Sequence, residues 1–261
     1  MRYPKKRVIY ESFDTDLLSG ESCPPRAADY SEPRFFRRAL SFVLYRLIAT
    51  PIAFLHSRLV LRERVIGRER LKGQSGFLLV GNHNEACGDA FSPSVVAFPR
   101  KTYVIVHRDN TSKPFLRSVT PSLGAIPVPQ GIREARAFSE RVGELIARGS
   151  AVAVYPEAHL WKKCSFLRPF EPGAFDPAVR GGFPVFSMTR VYKRHRLLGY
   201  VTRLYIDGPF VADSSLSRSS AAAELAARVR KKMEERLKEG DVCIIEYVTA
   251  EKADTNNESE K

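Results

Sequence analysis

Short apolar segments alternate with helical segments along most of the chain, and this alternation is the feature that most constrains the fold. Residues 77–80, 102–107 and 151–155 are apolar or β-branched runs that predict buried strands. Residues 132–148 and 221–238 carry apolar side chains at intervals of three and four, which predicts helices. Strands that alternate with helices predict an α/β sheet domain.

The remaining segments complete this division of the chain. Further strands are predicted at 184–190, 200–207 and 242–247, and a turn and helix at 86–97. We expect a polar N-terminal arm at 1–34, amphipathic helices at 35–66, the sheet domain at 67–250 and a disordered tail at 251–261.

The most apolar long segment spans residues 39–61. A transmembrane helix needs about 20 apolar residues, and Arg46 and Pro51 interrupt this one. Arginines flank it on both sides, and aromatic residues supply large apolar groups, a mixture typical of helices that lie in the membrane interface. A buried helical hairpin with snorkelling arginines is the alternative.

The charge of the chain indicates an anionic partner. The formal net charge is +13, which suits nucleic acid, a surface of lipid headgroups or a phosphorylated small molecule. The four cysteines are far apart in the sequence, as is typical of a protein in a reducing cytosol. The sequence has no CxxC spacing, which argues against a zinc ribbon or a redox pair.

The segment Gly81-Asn82-His83-Asn84-Glu85-Ala86-Cys87-Gly88-Asp89 follows the first buried strand. On a regular helix, residues six apart point about 120° away from each other, so His83 and Asp89 can pair only across an irregular turn. Gly88 would permit unusual backbone angles there, and Asn82 would hold the turn. With Asp89 on one ring nitrogen, the other nitrogen of His83 would accept a proton from a substrate alcohol.

Three further segments are weak signals when each is taken alone. Residues 123–129 contain Gly124 and two prolines, which suggests a rigid loop. Glu157 and His159 follow a strand that ends at Pro156, and in an extended backbone they would share a face. Residues 180–187 read as a glycine hinge that leads into an apolar strand.

In their order, these segments resemble the four motif blocks of the glycerolipid acyltransferase family, the lysophosphatidic-acid-acyltransferase-like (PlsC-type) group. The matching stretches are 81–89, 124–126, 155–157 and 183–185, and 168–175 resembles the stretch between the third and fourth blocks. The resemblance implies a mixed central sheet flanked by helices, with amphipathic N-terminal helices that dock on a membrane.

The same resemblance implies a reaction and its residues. An acyl group would pass from a thioester, acyl-CoA or acyl carrier protein, to a hydroxyl of a lysophospholipid or glycerol phosphate, with no metal or other cofactor. His83 would be the catalytic base and Asp89 its orienting acid; Asn82, Gly124, Glu157 and His159 would contact substrate. The enzyme would be peripheral on the cytoplasmic face of an anionic membrane and would not bind nucleic acid.

The chain departs from the family pattern at three places. The family places four residues between His and Asp, and this chain has five. Two arginines that would hold an acceptor phosphate are absent. Pro129 and Gln130 occupy the neighbourhood of the arginine that ends the second block. The third block usually runs proline, glutamate, glycine, a hydroxyl residue and arginine, and Leu160 stands at the arginine position. The acceptor then differs from lysophosphatidic acid, or Arg108, Lys162 or Lys163 binds the phosphate.

Other functional classes remain open from the sequence. His83, Asp89, Glu157 and His159 could form the mixed nitrogen–oxygen site of a metal-dependent hydrolase. A non-catalytic basic protein that binds membrane or nucleic acid is a second alternative, although no nucleic-acid recognition motif is present. A third is an acyltransferase relative that has lost its activity.

Overall fold

The computed structural model describes residues 6–14, 28–31, 35–109 and 119–250. The tail expected at 251–261, and the greater part of the arm expected at 1–34, lie outside these residues.

A seven-stranded mixed sheet forms the centre of the described part, in the order β2-β8-β7-β3-β6-β4-β5. β7 and β8 are antiparallel, and the other neighbours are parallel. The strands are β2 (Glu63–Ile66), β3 (Phe77–Gly81), β4 (Thr102–Val106), β5 (Ala125–Pro127), β6 (Ala151–Val154), β7 (Val185–His195) and β8 (Gly199–Phe210). The predicted mixed α/β fold is confirmed.

Helices cover both faces of this sheet. They are α1 (Phe35–Val43), α2 (Thr50–Leu55), α3 (Ala86–Ala97), α4 (Gly131–Ala147), α5 (Asp176–Gly181) and α6 (Arg218–Leu237). α1 and α2 belong to one long helix, because π-helical turns at Leu44–Ala49 and His56–Val60 continue them. We call residues 35–60 the N-terminal helix.

The central strand β3 shows how the core is divided. Phe77 and Leu79 pack on the face that α3 covers, whereas Leu78 and Val80 pack on the face that α4 and α6 cover. All five residues of β3 are buried, as expected for a parallel strand with helices on both sides. β3 therefore holds its carboxyl end, and the residues that follow it, in a fixed position.

The structure differs from the sequence prediction in where the sheet begins and in how the closing strand is paired. β2 falls within the 35–66 segment that was predicted to contain only interface helices, so the sheet begins earlier in the chain. The closing strand predicted at 242–247 is β9 (Ile245–Thr249), and it pairs with β1 (Lys6–Tyr10) in a separate parallel ribbon. The strand itself was predicted, but strand periodicity does not specify the pairing partner, so the separate ribbon could not be anticipated.

The N-terminal helix has an unusual distribution of side chains. Its buried stripe consists of small or polar residues and one tyrosine: Ser41, Tyr45, Thr50, Ala53 and Ser57. Its exposed stripe is large and apolar: Phe36, Leu40, Leu47, Ile48, Ile52, Leu55, Leu59 and Val60. Polar contacts fix the buried stripe, since the Tyr45 hydroxyl donates to Ser94 and accepts from the Thr102 N–H. The helix therefore turns its apolar side away from the protein.

Lys101 lies beneath the first half of this helix. Its Nζ donates to the Ser41 hydroxyl at 2.9 Å and lies 5.0 Å from the centre of the Tyr103 ring. Burial, together with the positive charges of Arg141, Arg38 and Arg46, lowers the pKa of Lys101 to about 8. The charged amine is thus held in an unfavourable environment.

The stability of the fold should respond to the titration of Lys101. Below pH 8 the amine is charged in both states, and the folded state bears the cost of burying it. Between pH 8 and the ordinary lysine pKa of 10.5, only the unfolded state keeps the proton, so the free energy of unfolding should rise with pH. Urea denaturation over this range should show the rise in the wild type and less of it in Lys101→Met. The exposed Lys72→Met control should keep it; equal slopes in all three proteins would contradict the assignment.

Candidate active site

The carboxyl end of β3 leads directly to a histidine–aspartate pair. Nδ1 of His83 lies 2.8 Å from Oδ2 of Asp89. The Asp89 side chain is buried, whereas 22% of the His83 side chain is exposed. No other hydrogen-bond partner of the His83 ring is found in the described part of the chain. Nδ1 therefore donates to the carboxylate in the neutral ring, and Nε2 is left as the acceptor.

The five intervening residues are accommodated by a change of backbone conformation. Residues 82–85 are irregular, Glu85 is extended, and α3 begins at Ala86. Asp89 lies in the first turn of α3, where its Oδ2 also accepts from the Glu85 N–H at 3.0 Å. The Asp89 side chain therefore extends beyond the amino end of α3 and contacts the His83 ring.

Gly88 is needed here for space and not for unusual backbone angles. It lies within α3. A Cβ at this position would come within 2.6 Å of the Glu85 Cγ and 2.8 Å of the Leu61 Cδ1. The glycine lets the N-terminal helix end close to the start of α3.

A buried arginine from β7 holds the other side of Asp89. The Arg190 guanidinium contacts Asp89 Oδ1, donates to Glu63 Oε1 at 3.2 Å and donates to the Ser92 hydroxyl at 2.8 Å. Its NH1 also lies 3.3 Å from the Asn84 side-chain oxygen. Arg190 therefore fixes the orientation of the carboxylate that contacts His83.

The charges in this buried group do not cancel. Glu63 and Asp89 contribute two carboxylates and Arg190 one guanidinium, and the side chains of all three are at most 2% exposed. A net negative charge in a medium of low dielectric constant attracts a positive charge nearby. The group therefore keeps a net negative charge next to the His83 ring.

Tyr155, from the end of β6, packs against the histidine ring. The two rings stack with centroids 4.7 Å apart, and the Tyr155 hydroxyl donates to the backbone carbonyl of Asp89 at 2.6 Å. Burial raises the pKa of Tyr155 well above its ordinary value, which keeps the hydroxyl a donor. A Cβ at Gly81 would come within 2.5 Å of this ring, so glycine is required for the stacking.

Glu157 supports the backbone of the histidine. Its Oε2 accepts from Arg168 Nε at 2.8 Å, and its Oε1 accepts from the His83 N–H at 3.4 Å. Burial raises the pKa of Glu157, and the Arg168 charge opposes this shift. The guanidinium of Arg168 also donates to the His83 carbonyl at 3.3 Å. Glu157 and Arg168 thus hold both backbone polar groups of His83.

The β1–β9 ribbon reaches this site through Trp161. The Trp161 N–H donates to the His83 carbonyl at 3.2 Å, and its ring lies 4.9 Å from the Arg168 guanidinium carbon. Tyr247 of β9 stacks on the indole with centroids 4.9 Å apart, and Tyr10 of β1 meets it edge-on at 4.7 Å. The terminal strands therefore pack behind the residue that holds the histidine.

The other residues predicted to contact substrate lie in different places. The buried Asn82 side chain donates to the Arg190 carbonyl and accepts from the Arg190 N–H, so it extends the β3–β7 pairing. His159 is half-buried and does not share a face with Glu157, because Ala158 has a φ of +62° and turns the backbone. Gly124, with a φ of +98°, lies beside Thr102 at the amino ends of β4 and β5, opposite the edge that carries His83.

The three basic residues that the sequence offers as partners of an acceptor phosphate differ in their burial and in their contacts. Arg108 is buried and paired with Glu134. The side chain of Lys162 is exposed. Lys163 contacts Glu85, and its N–H donates to the Asn84 carbonyl at 2.8 Å, which places it next to His83.

The described residues do not assemble the metal site of the alternative reading. Within residues 6–14, 28–31, 35–109 and 119–250, no three His, Cys, Asp or Glu side chains are placed to hold a metal ion. Two cavities, of about 330 and 480 Å³, lie along β7 and β2, and His83 lines neither. The His83 side chain is partly exposed just after the carboxyl end of β3.

Arg190, Glu63 and Arg168 were missed by the sequence reasoning as parts of the site. Arg190 ended an apolar segment that read as a strand, and a charge within such a strand is a signal for a buried partner. Glu63 lies far from the motif blocks, and nothing in the sequence pairs it with Arg190. Arg168 lies in the 168–175 stretch that resembles the family pattern, but the resemblance gave this residue no role.

Comparisons with known proteins identify the family and the fold. The family model described as Acyltransferase matches residues 62–191. A crystal structure of the 1-acyl-sn-glycerophosphate (LPA) acyltransferase PlsC from Thermotoga maritima is similar in fold, with a TM-score of 0.53 and 18% sequence identity. The match covers 77% of this chain and 87% of that one. No curated protein sequence matches the chain. The chain belongs to the acyltransferase family and has the fold of a PlsC-type acyltransferase.

Proposed function

We propose that this acyltransferase moves a fatty acyl group from a thioester, acyl-CoA or acyl carrier protein, to a hydroxyl of a lysophospholipid or glycerol phosphate. The observation that carries the proposal is the 2.8 Å contact between His83 Nδ1 and Asp89 Oδ2, with Nε2 left free to accept a proton. No metal or other cofactor takes part in the proposed reaction.

The proposed mechanism has one proton transfer and one acyl transfer. Nε2 of His83 takes the proton of the acceptor hydroxyl while its oxygen attacks the thioester carbonyl. The C–S bond then breaks, and the leaving thiolate takes a proton from the imidazolium. Asp89 keeps the ring in the tautomer that exposes Nε2 and stabilises the imidazolium. No covalent enzyme intermediate is required.

Replacement of the base should remove activity and leave the fold intact. His83→Ala should lower kcat by about 10²- to 10⁴-fold, the usual contribution of a positioned general base. Release of thiol from acyl-CoA in the presence of lysolipid measures the reaction, and thermal melting measures the fold. His195→Ala, at the end of β7, is the matched control and should keep normal turnover. Full activity in His83→Ala would refute the assignment.

The phosphate of the acceptor is proposed to meet Lys163. Its Nζ contacts Glu85 at the start of α3 and lies 5.1 Å from the Tyr192 ring centre, so it is held beside the catalytic pair. An ammonium group binds phosphate as a point charge. The Lys163 ammonium can therefore leave the partly exposed Glu85 carboxylate and pair with the phosphate instead.

Loss of this charge should affect phosphate-bearing acceptors selectively. Lys163→Gln should raise KM for sn-glycerol 3-phosphate and lysophosphatidic acid by about 10-fold, which corresponds to about 1.4 kcal/mol. KM for an uncharged monoacylglycerol should change little. A raised KM in Lys162→Gln, with none in Lys163→Gln, would move the phosphate contact to Lys162.

We also propose that the enzyme docks on the cytoplasmic surface of an anionic membrane through the N-terminal helix. By length and composition, residues Arg38–Val60 are apolar enough to cross a bilayer. However, one stripe of this helix is packed against the domain along its length, through Ser41, Tyr45 and Ser57. A helix that stays attached in this way fits a position in the plane of the interface, with its apolar stripe in the lipid.

Two substitutions on the exposed stripe should test this docking. Leu47 and Leu55 are 71% and 60% exposed, so replacing both with Gln should leave the fold intact. Binding to phospholipid vesicles in a flotation assay should weaken by about 10-fold or more. The double control Ile132→Gln/Leu197→Gln changes residues that are 91% and 84% exposed elsewhere. Equal weakening by both pairs would contradict docking through the helix.

A further inference from the structure

An arginine-lined cavity of about 480 Å³ lies between the end of the N-terminal helix and the edge strand β2. We call it the arginine groove. Its basic residues are Arg58, Arg62, Arg64 and Arg68. An apolar wall completes it, formed by Phe54, Val65 and Val95. This combination of four positive charges and an apolar wall suits an amphiphile with an anionic head.

The one carboxylate among the lining residues does not neutralise the groove. Glu63 accepts from the Ser57 and Ser92 hydroxyls at 3.0 and 2.8 Å and from Arg190 at 3.2 Å. Its side chain is 0% exposed. The negative charge of Glu63 is therefore directed towards the catalytic pair, and the lining keeps an excess of positive charge.

The groove arginines are available to an outside ligand. Across the described ranges, the side chains of Arg58 and Arg64 form no hydrogen bond or ion pair, and those of Arg62 and Arg68 contact only backbone carbonyls. A carbonyl does not neutralise a guanidinium, so all four charges remain. Guanidinium groups bind phosphate oxygens through paired hydrogen bonds.

The position of the groove indicates where its ligand comes from. Arg58 lies between Leu55 and Leu59, which belong to the exposed apolar stripe of the N-terminal helix. β2 runs antiparallel to β3, since it is parallel to β8 and β8 is antiparallel to β7. Arg62, just before β2, therefore lies at the same edge of the sheet as His83.

We propose that the arginine groove binds the phosphate group of an anionic phospholipid of the membrane on which the enzyme docks. This inference rests on the membrane docking proposed above. The arginines contact the phosphate, and the apolar wall contacts the upper part of the lipid chains. A bound headgroup would fix the enzyme's rotation on the membrane and direct the edge that carries His83 towards the lipid surface.

The test compares two double variants that remove the same charge. Arg58→Gln/Arg64→Gln changes the groove, whereas Arg133→Gln/Arg180→Gln changes exposed arginines of α4 and α5, on the opposite face of the sheet. Flotation with vesicles of phosphatidylcholine, alone or mixed with phosphatidylglycerol, measures binding without any thioester. We expect the groove variant to bind the mixed vesicles about 30-fold less tightly, from about 1 kcal/mol per arginine at an anionic surface. Binding to phosphatidylcholine alone should not change.

Two outcomes would overturn the proposal. An equal loss in the control variant would show that attraction to the membrane is spread over the whole surface. Stabilisation of the wild type by inorganic phosphate, absent from the groove variant, with vesicle binding unchanged, would assign the groove to a soluble phosphate compound. Because the assay contains no acyl donor, a failure of acyl transfer would refute the proposed reaction without affecting this result.

Discussion

The buried ion pair between Arg190 and Asp89 is the interaction on which the rest of the site depends. It joins β7 to the first turn of α3 and fixes the carboxylate that contacts His83. Removal of one partner from a buried pair costs about 3–5 kcal/mol, because the other charge is left uncompensated. The geometry of the proposed catalytic pair and the packing of the central sheet are therefore linked through one side chain.

Most strands of the sheet and the helices α3, α4 and α6 could be read from the sequence, because apolar periodicity reports burial directly. The short strands β2 and β5 were not predicted. The pairing of His83 with Asp89 could also be anticipated, since both residues lie in one short segment after a strand. Arg190 and Glu63 could not, because their contact depends on the strand order β2-β8-β7-β3, which the sequence does not specify. Gly124 was expected near substrate, but the parallel strands place it at the opposite edge.

The third motif block illustrates how this chain differs from its family pattern. Ala158 occupies a position where the family pattern has glycine, and its φ of +62° is unfavourable for a residue with a Cβ. Glu157 is held by Arg168, and the arginine that the pattern would place two residues after Ala158 is Leu160. The block thus supports the backbone of His83, and the substrate phosphate is proposed to meet a basic residue outside the motif positions.

The β1–β9 ribbon has a consequence for the biosynthesis of the enzyme. It brings together the earliest and the latest described strands of the chain, and Tyr247 completes the aromatic packing on Trp161. Contacts between residues so distant in sequence form only after the ribosome has released the C-terminal strand. A nascent chain can fold its sheet before then, but the histidine acquires its final support only after β9 has emerged.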